Sequence, residues 1–304
     1  MPNYYKMLLK NYYIYHFRHQ TINVCHITVN YRLTYCRISP VQIFSLFTYE
    51  CLQSCLTAIS DWSSHWQLKL SPGKCSVLHV CPARTSSESS GHFVYHVGDV
   101  ALPTVDSVTD LGVNYDNRLT FRSHIDKIVS KAALRAKLIL KCFQSRDPAL
   151  LTKAFCTFVR PVLEYCCVIW TPMFKRDIDK IESVQRRFTK RLSGLFRLSY
   201  SCRLTRLGLD SLYCRRVKAD LVMCYKILNN LVSMDSDMFF KRSSTVCTRG
   251  NCMKLAKCHS FSARESHFFA NRVVNIWNSF PDYVVSAPSV ASFKRRISAY
   301  NFCT

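Results

Sequence analysis

Residues 175–195 read KRDIDKIESVQRRFTKRLSGL. Within them Ile178, Ile181, Val184, Phe188 and Leu192 recur at intervals of three and four, the spacing that lines up side chains on one face of an α-helix. Around that stripe fall Lys175, Arg176, Lys180, Arg186, Arg187, Lys190 and Arg191. The stretch therefore predicts an amphipathic helix with one face to bury and a strongly basic remainder, and such a helix needs apolar neighbours.

The flanking sequence supplies them. Ile125, Ile128, Val129, Ala132, Leu134, Leu138 and Phe143 make a broad stripe before it. Asp147-Pro148 is a start signal for a helix reaching Trp170, which Pro161 should bend or divide. Residues 221–231 form a further stripe. Residues 241–257 read as a basic loop, 267–280 as a helix stopped by Pro281, and 289–300 as a last short helix. Toward the N-terminus Leu52, Leu56, Ile59, Trp62 and Trp66 share a helical face, and the Ser71-Pro72-Gly73 turn between apolar runs suggests a hairpin over 68–80. A Ser-rich link over 85–90 follows. Residues 93–115 alternate apolar and polar side chains and predict two or three short strands broken near Gly98 and Pro103. The first 49 residues contain no Asp or Glu and show neither period. The fold class expected is α+β, mostly α-helical, in four sections: 1–49 unassigned, 50–120 mixed, 121–235 a helical bundle, and 236–304 a basic loop with terminal helices.

In 304 residues, 48% hydrophobic content is enough to build packed cores. Lys and Arg number 42 against 19 Asp and Glu, a net charge of +23, which draws the chain to polyanions, nucleic acid first among them. No apolar run reaches the roughly 18–20 residues needed to span a bilayer, so no membrane partner is expected. The start lacks the features of a secretory signal, and an intracellular protein, nuclear or cytoplasmic, is expected. The 17 cysteines are scattered and odd in number, which favours reduced thiols; Cys55, Cys142, Cys156, Cys166 and Cys224 sit at apolar-patterned positions. Trp62, Trp66, Trp170 and Trp277 fall on apolar stripes and are expected in cores.

An ordered series of short segments carries a resemblance. It runs through Leu52-Gln53, Trp62 to Leu70 leading into Lys74-Cys75, Asp110-Leu111-Gly112-Val113, Phe121 to Ala132, and Arg160-Pro161-Val162-Leu163-Glu164-Tyr165 with Trp170. It continues with Glu182, Val184-Gln185-Arg186-Arg187-Phe188-Thr189, Tyr200, Arg203-Leu204, Leu207-Gly208-Leu209, Arg215-Arg216, Tyr225-Lys226-Ile227-Leu228, Phe268-Phe269, Arg272-Val273-Val274, Trp277-Asn278-Ser279 and Phe293-Lys294. In order and rough spacing these segments resemble the C-terminal part of the reverse transcriptase of jockey-like non-LTR (LINE) retrotransposons. The resemblance implies remnant palm β-hairpins over 50–120, with Lys74 near the phosphates of an incoming nucleotide and Leu111-Gly112 in a primer-grip-like hairpin. It implies a thumb-like helical domain over 121–235 that closes on a template-primer duplex of RNA or DNA.

Polymerisation of that kind uses paired metal ions held by clustered carboxylates. Where the family carries its Asp-Asp pair, residues 22–47 contain no acidic residue, and no Asp-Asp pair occurs elsewhere. Asp177/Asp179 and Asp235/Asp237 are read as solvated charges near helix ends. The expectation is a chain with no catalytic residue, no metal, no cofactor and no small-molecule substrate, inactive alone and retaining nucleic-acid binding. The alternatives are part of an active polymerase whose palm lies in a longer reading frame, and a host-adopted basic helical binding protein. Cys247, Cys252, Cys258 and His259 invite a zinc knuckle, but their gaps of five and six, with the histidine directly after the last cysteine, argue against one. Arg215-Arg216 and Lys294-Arg295-Arg296 are read as surface clusters, and neither His124 nor Glu164 has a nucleophile near it in sequence.

Overall fold

The structure, a computed structural model, describes residues 49–68, 70–78, 94–243, 251–257, 266–300 and 302. These form two compact units that divide between Phe121 and Arg122. Taken together, the described residues form a mostly helical α+β structure.

The smaller unit begins with α1 (Tyr49–His65), whose Leu56 is buried with Leu52 packed beside it. Two antiparallel hairpins follow, β1 (His96–Val97) with β2 (Val100–Ala101), and β3 (Ser107–Asp110) with β4 (Val113–Asp116). Hairpins of two to four residues are marginal alone. Here the first is held by a small core of Leu56, Cys75, Val77, Tyr95, Val97 and Leu102. Gln53 of α1 closes the free edge of β1, its Nε2 donating to His96 O at 3.0 Å and its Oε1 accepting from His96 N at 2.9 Å. Among the described residues of the 68–80 stretch the expected hairpin is not formed. Pro72-Gly73-Lys74 instead makes a 3₁₀ turn, which the same turn residues allow, and Val77 makes an isolated parallel bridge to Thr104. Trp66 lies past the end of α1 and is exposed, so it is no core residue. The Asp116 carboxylate accepts from the backbone N–H groups of Arg118, Thr120 and Phe121 and tightens the exit from β4.

The larger unit contains α2 (Arg122–Cys142), α3 (Pro148–Phe158), α4 (Arg160–Glu164), α5 (Cys167–Trp170), α6 (Lys175–Lys190), α7 (Tyr200–Leu207), α8 (Leu212–Leu228), α9 (Phe269–Ser279), α10 (Asp282–Val285) and α11 (Val290–Ser298). Asp147 caps α3, accepting from Ala149 N and Leu150 N. The helix expected to run on to Trp170 is cut twice: Pro161 opens α4, and Cys166 takes a left-handed backbone (φ 53°) before α5. Helix α2 packs on α6, α3 and α4, while α8 packs on α4, α5, α6, α9 and α11. Residues 266–300 therefore share a core with the preceding helices. Two expectations fail on α2: Leu134 and Leu138 are 59% and 47% exposed, and Cys142 is exposed, because the buried seam is the narrower set Ile125, Ala132, Ala136 and Ile139. Helix α7 was not anticipated. Among the described residues no helix is long and apolar enough to cross a membrane.

A buried histidine, His124, and a half-buried one, His267, make this unit acid-sensitive. His124 lies edge-on to Trp170 at 5.1 Å, and burial, with Lys127 adding, holds its imidazole down to about 4. Burial and then Arg272 hold His267, whose ring nitrogen bonds Thr171 O, to about 4 as well. Between the ordinary 6.5 and about 4 the unfolded chain binds more protons than the folded one. Stability is thus full above 6.5, falls with pH through that window, and is lowest below about 4. The melting temperature, followed by tryptophan fluorescence, should drop across the window, and His124→Phe should flatten the drop; a flat profile in the parent chain contradicts the assignment.

Candidate nucleic-acid interface

Helix α6 separates its charges from its stripe. At about 100° per residue, Lys175, Arg176, Asp179, Ser183, Arg186, Arg187 and Lys190 fall within an arc of about 120°. All but the half-buried Ser183 are exposed, whereas Asp177, Ile181, Glu182, Val184, Gln185, Phe188 and Thr189 on the opposite side are buried. The helix is 16 residues long, about 24 Å, and Arg191 prolongs the arc at its C-cap.

Each sequence-predicted cation can be placed. Lys175, Arg176, Arg187, Lys190 and Arg191 are exposed and make no salt bridge among the described residues. Lys180 pairs with Asp126 of α2. The Arg186 guanidinium stands 5.2 Å from the Tyr200 ring centroid. Asp179 is the one exposed carboxylate of this helix, since Asp177, expected in solvent, is buried in the first turn. Lys74 and Leu111-Gly112 belong to the smaller unit. Lys74 is exposed at the end of its 3₁₀ turn, and among the described residues no salt bridge involves it. Leu111 and Gly112 form the β3–β4 turn with φ of 48° and 84°, the two left-handed positions of a type I′ hairpin. A leucine there costs about 1–2 kcal/mol relative to a relaxed backbone.

What orients the basic arc lies beneath it. The Glu182 carboxylate accepts from Leu212 N at 3.1 Å and Tyr213 N at 3.2 Å, closing the N-terminus of α8, and also from the Tyr200 hydroxyl. A buried anion is well placed at that positive helix end. Burial and then the Glu182 charge push the Tyr200 phenol well up, so it stays a donor. Gln185 Nε2 donates to Tyr200 Oη and Asp210 O, both at 3.0 Å. Arg203, buried, reaches back from α7 to Thr189 Oγ1, Leu198 O and Arg186 O. The Arg215-Arg216 pair, read as a surface cluster, is half-buried and buried respectively, and Arg215 bonds Glu164. Spacing gave Glu182 and Arg203 no role, because partners such as Leu212, Tyr213 and Thr189 lie many residues away.

Two exposed rings, one just before and one just after α6 in sequence, were not foreseen. Phe174, the N-cap of α6, has the Arg122 guanidinium 5.3 Å from its centroid, and Phe196 has Arg197 at 5.3 Å. Chemically the surface offers point charges and aromatic faces. Among the described residues no group of three His, Cys, Asp or Glu could hold a metal. Of the zinc-knuckle set, Cys252 is exposed, while Cys247, Cys258 and His259 lie outside the described residues.

Similarity to known proteins is distant and partial. The chain is 26% identical over 144 residues to an uncharacterised protein of Caenorhabditis elegans, a match covering 46% of this chain and 73% of that one. It is 24% identical over 154 residues to the RNA-directed DNA polymerase from mobile element jockey of Drosophila funebris, covering 48% of this chain and 16% of that one. It is 26% identical over 140 residues to a Drosophila melanogaster protein named "Probable RNA-directed DNA polymerase from transposon X-element", covering 44% and 15%. The matches thus span under a fifth of either polymerase. No protein-family model and no solved structure matches the chain.

Proposed function

We propose that this chain is a fragment of non-LTR retrotransposon reverse-transcriptase descent, without polymerase activity of its own, whose larger unit binds nucleic acid through the α6 basic arc. The distant relationship to proteins named as RNA-directed DNA polymerases supports the descent. The absence of an Asp-Asp pair from the 304 residues supports inactivity, because two-metal transfer needs clustered carboxylates. The observation that carries the binding reading is the arc itself: Lys175, Arg176, Arg187, Lys190 and Arg191 are exposed and make no salt bridge among the described residues along about 24 Å of one helix face, in which Asp179 is the one carboxylate.

Five such cations cannot all meet one duplex at once. Contact with about four phosphates gives a log-log salt slope near −3.6 on B-form DNA, with little dependence on sequence. Replacing Arg176, Arg187, Lys190 and Arg191 with Gln should flatten that slope and leave helical circular dichroism intact, since none of the four is buried. Primer extension by the same preparation with Mg²⁺ or Mn²⁺ should yield no product. Salt-independent affinity, or unchanged binding by the neutralised variant, refutes the interface; nucleotide incorporation by pure protein refutes the inactivity.

A further inference from the structure

A cleft of about 780 Å³ runs along α8, and none of its lining residues belongs to α6. Arg215, Lys218, Ala219, Val222, Met223 and Lys226 line it at helical spacing, a stripe about 16 Å long. Residues 164–167 at the α4–α5 junction and Lys294 and Ile297 of α11 complete it. Cys166, Cys167, Met223 and Ile297 are buried, and Ala219 and Val222 are half-buried, so aliphatic and thiol surface makes up the body of the cleft. Sites for small molecules have volumes of about 300–1,000 Å³ and pair such a lining with a few placed polar groups.

The charges select the ligand. Four cations line the cleft against two carboxylates. Both carboxylates are engaged: Glu164 Oε2 accepts from Arg215 Nη2 at 2.9 Å, and Asp210 meets Lys218 at 2.8 Å. The surplus positive charge therefore lies toward Lys226 and Lys294. Their sequence neighbours Tyr225 and Phe293 stack at 4.5 Å, which seats α11 on α8 at that end of the stripe. Lys294 is exposed and makes no salt bridge among the described residues. A polyanion would bring charge along its whole length and leave the apolar stretch uncovered. A molecule with one anionic end and an apolar body matches both parts. We propose that the cleft holds a single amphiphilic anion, an alkyl carboxylate lying along α8 with its head at Lys294 and Lys226. This goes beyond nucleic-acid binding and does not rest on it.

Calorimetric titration of the full chain with dodecanoate, kept below micelle formation, should reveal one site. Decanoate should bind about 15-fold more weakly, near 4-fold for each methylene withdrawn from the apolar lining. Ala219→Leu, which fills the floor, should weaken dodecanoate at least about 10-fold. Lys294→Gln combined with Lys226→Gln should do the same by removing the partners of the head. Helical circular dichroism should be unchanged in both variants, and Arg187→Gln on α6 should leave the affinity as it is. Acetate, which lacks the chain, should not bind, and neither should dodecyltrimethylammonium, which reverses the charge. No dodecanoate binding, equal binding of dodecyltrimethylammonium, or undiminished affinity in either cleft variant overturns the site. A loss on Arg187→Gln overturns it too, since the anion would then sit on the basic arc. None of these results bears on the salt-dependent binding of duplex by α6.

Discussion

Arg272→Met is expected to destabilise the larger unit by about 3–5 kcal/mol, the cost of stripping one partner from a buried ion pair. Arg272 meets Asp220 as a fork, Nε to Oδ2 and Nη2 to Oδ1, both at 2.8 Å. It also donates to Val168 O at 2.7 Å and His267 O at 3.0 Å, so one side chain of α9 ties α8, α5 and the start of its own segment together. Burial raises the Asp220 carboxyl above its ordinary value although Arg272 opposes it, which means desolvation outweighs the attraction. The fork and the Val168 bond fix how α9 seats against α8 and α5. Arg216, buried and without a hydrogen bond, belongs to the same cluster of charges.

Two further variants separate these contributions. Arg272→Lys keeps the charge, loses the fork, and should fall between parent and Met. Asp220→Leu combined with Arg272→Met removes both charges of the pair and should recover at least half of the single-variant loss. Denaturant midpoints at constant m-value measure all three. A single Met variant within about 0.5 kcal/mol of the parent would show the pair to be an ordinary surface contact.

Charge and period were readable in sequence where they are segregated, as in α6. Its stripe and its cations occupy opposite arcs, so a 3.6-residue pattern placed both correctly. On α2 the same reasoning overreached, because Leu134 and Leu138 are apolar and exposed, and a pattern of residue types cannot tell a covered leucine from a bare one. Turn signals were similarly double-valued. Gly98 does sit in the β1–β2 turn, whereas Pro72-Gly73 ends in a 3₁₀ turn without strands beside it. The basic surface was visible in composition; which cations remain unpaired was not, since Lys180 finds Asp126 54 positions away. Buried polar groups were the least readable. Glu182 closes a helix 30 residues downstream, a pairing set by the packing of α6 on α8 and carried by no local spacing.

Trp277→Ala should cost about 3–5 kcal/mol, the range for truncating a fully buried large aromatic. The indole is completely buried, donates Nε1–H to Met253 O at 2.9 Å, and lies 5.8 Å from the Phe293 ring of α11. Phe293 in turn stacks on Tyr225 of α8 at 4.5 Å, so these rings carry the seating of the terminal helices onto the central one. Asn251 Nδ2 donates to the carbonyls of Trp277 and Phe280, which fixes the end of α9 against the preceding loop. Removing the indole opens a cavity and orphans the Met253 carbonyl together. A loss of that size is a large part of the roughly 5–15 kcal/mol available to a domain. Trp277→Phe keeps most of the volume and drops the donor, so about 1–2 kcal/mol should go with it. The comparison also decides how far the nucleic-acid-binding unit extends. If Trp277→Ala shifts the whole cooperative transition, residues 266–300 are part of the body that presents α6; if it costs under about 1 kcal/mol, they are an appendage that can be removed without disturbing it.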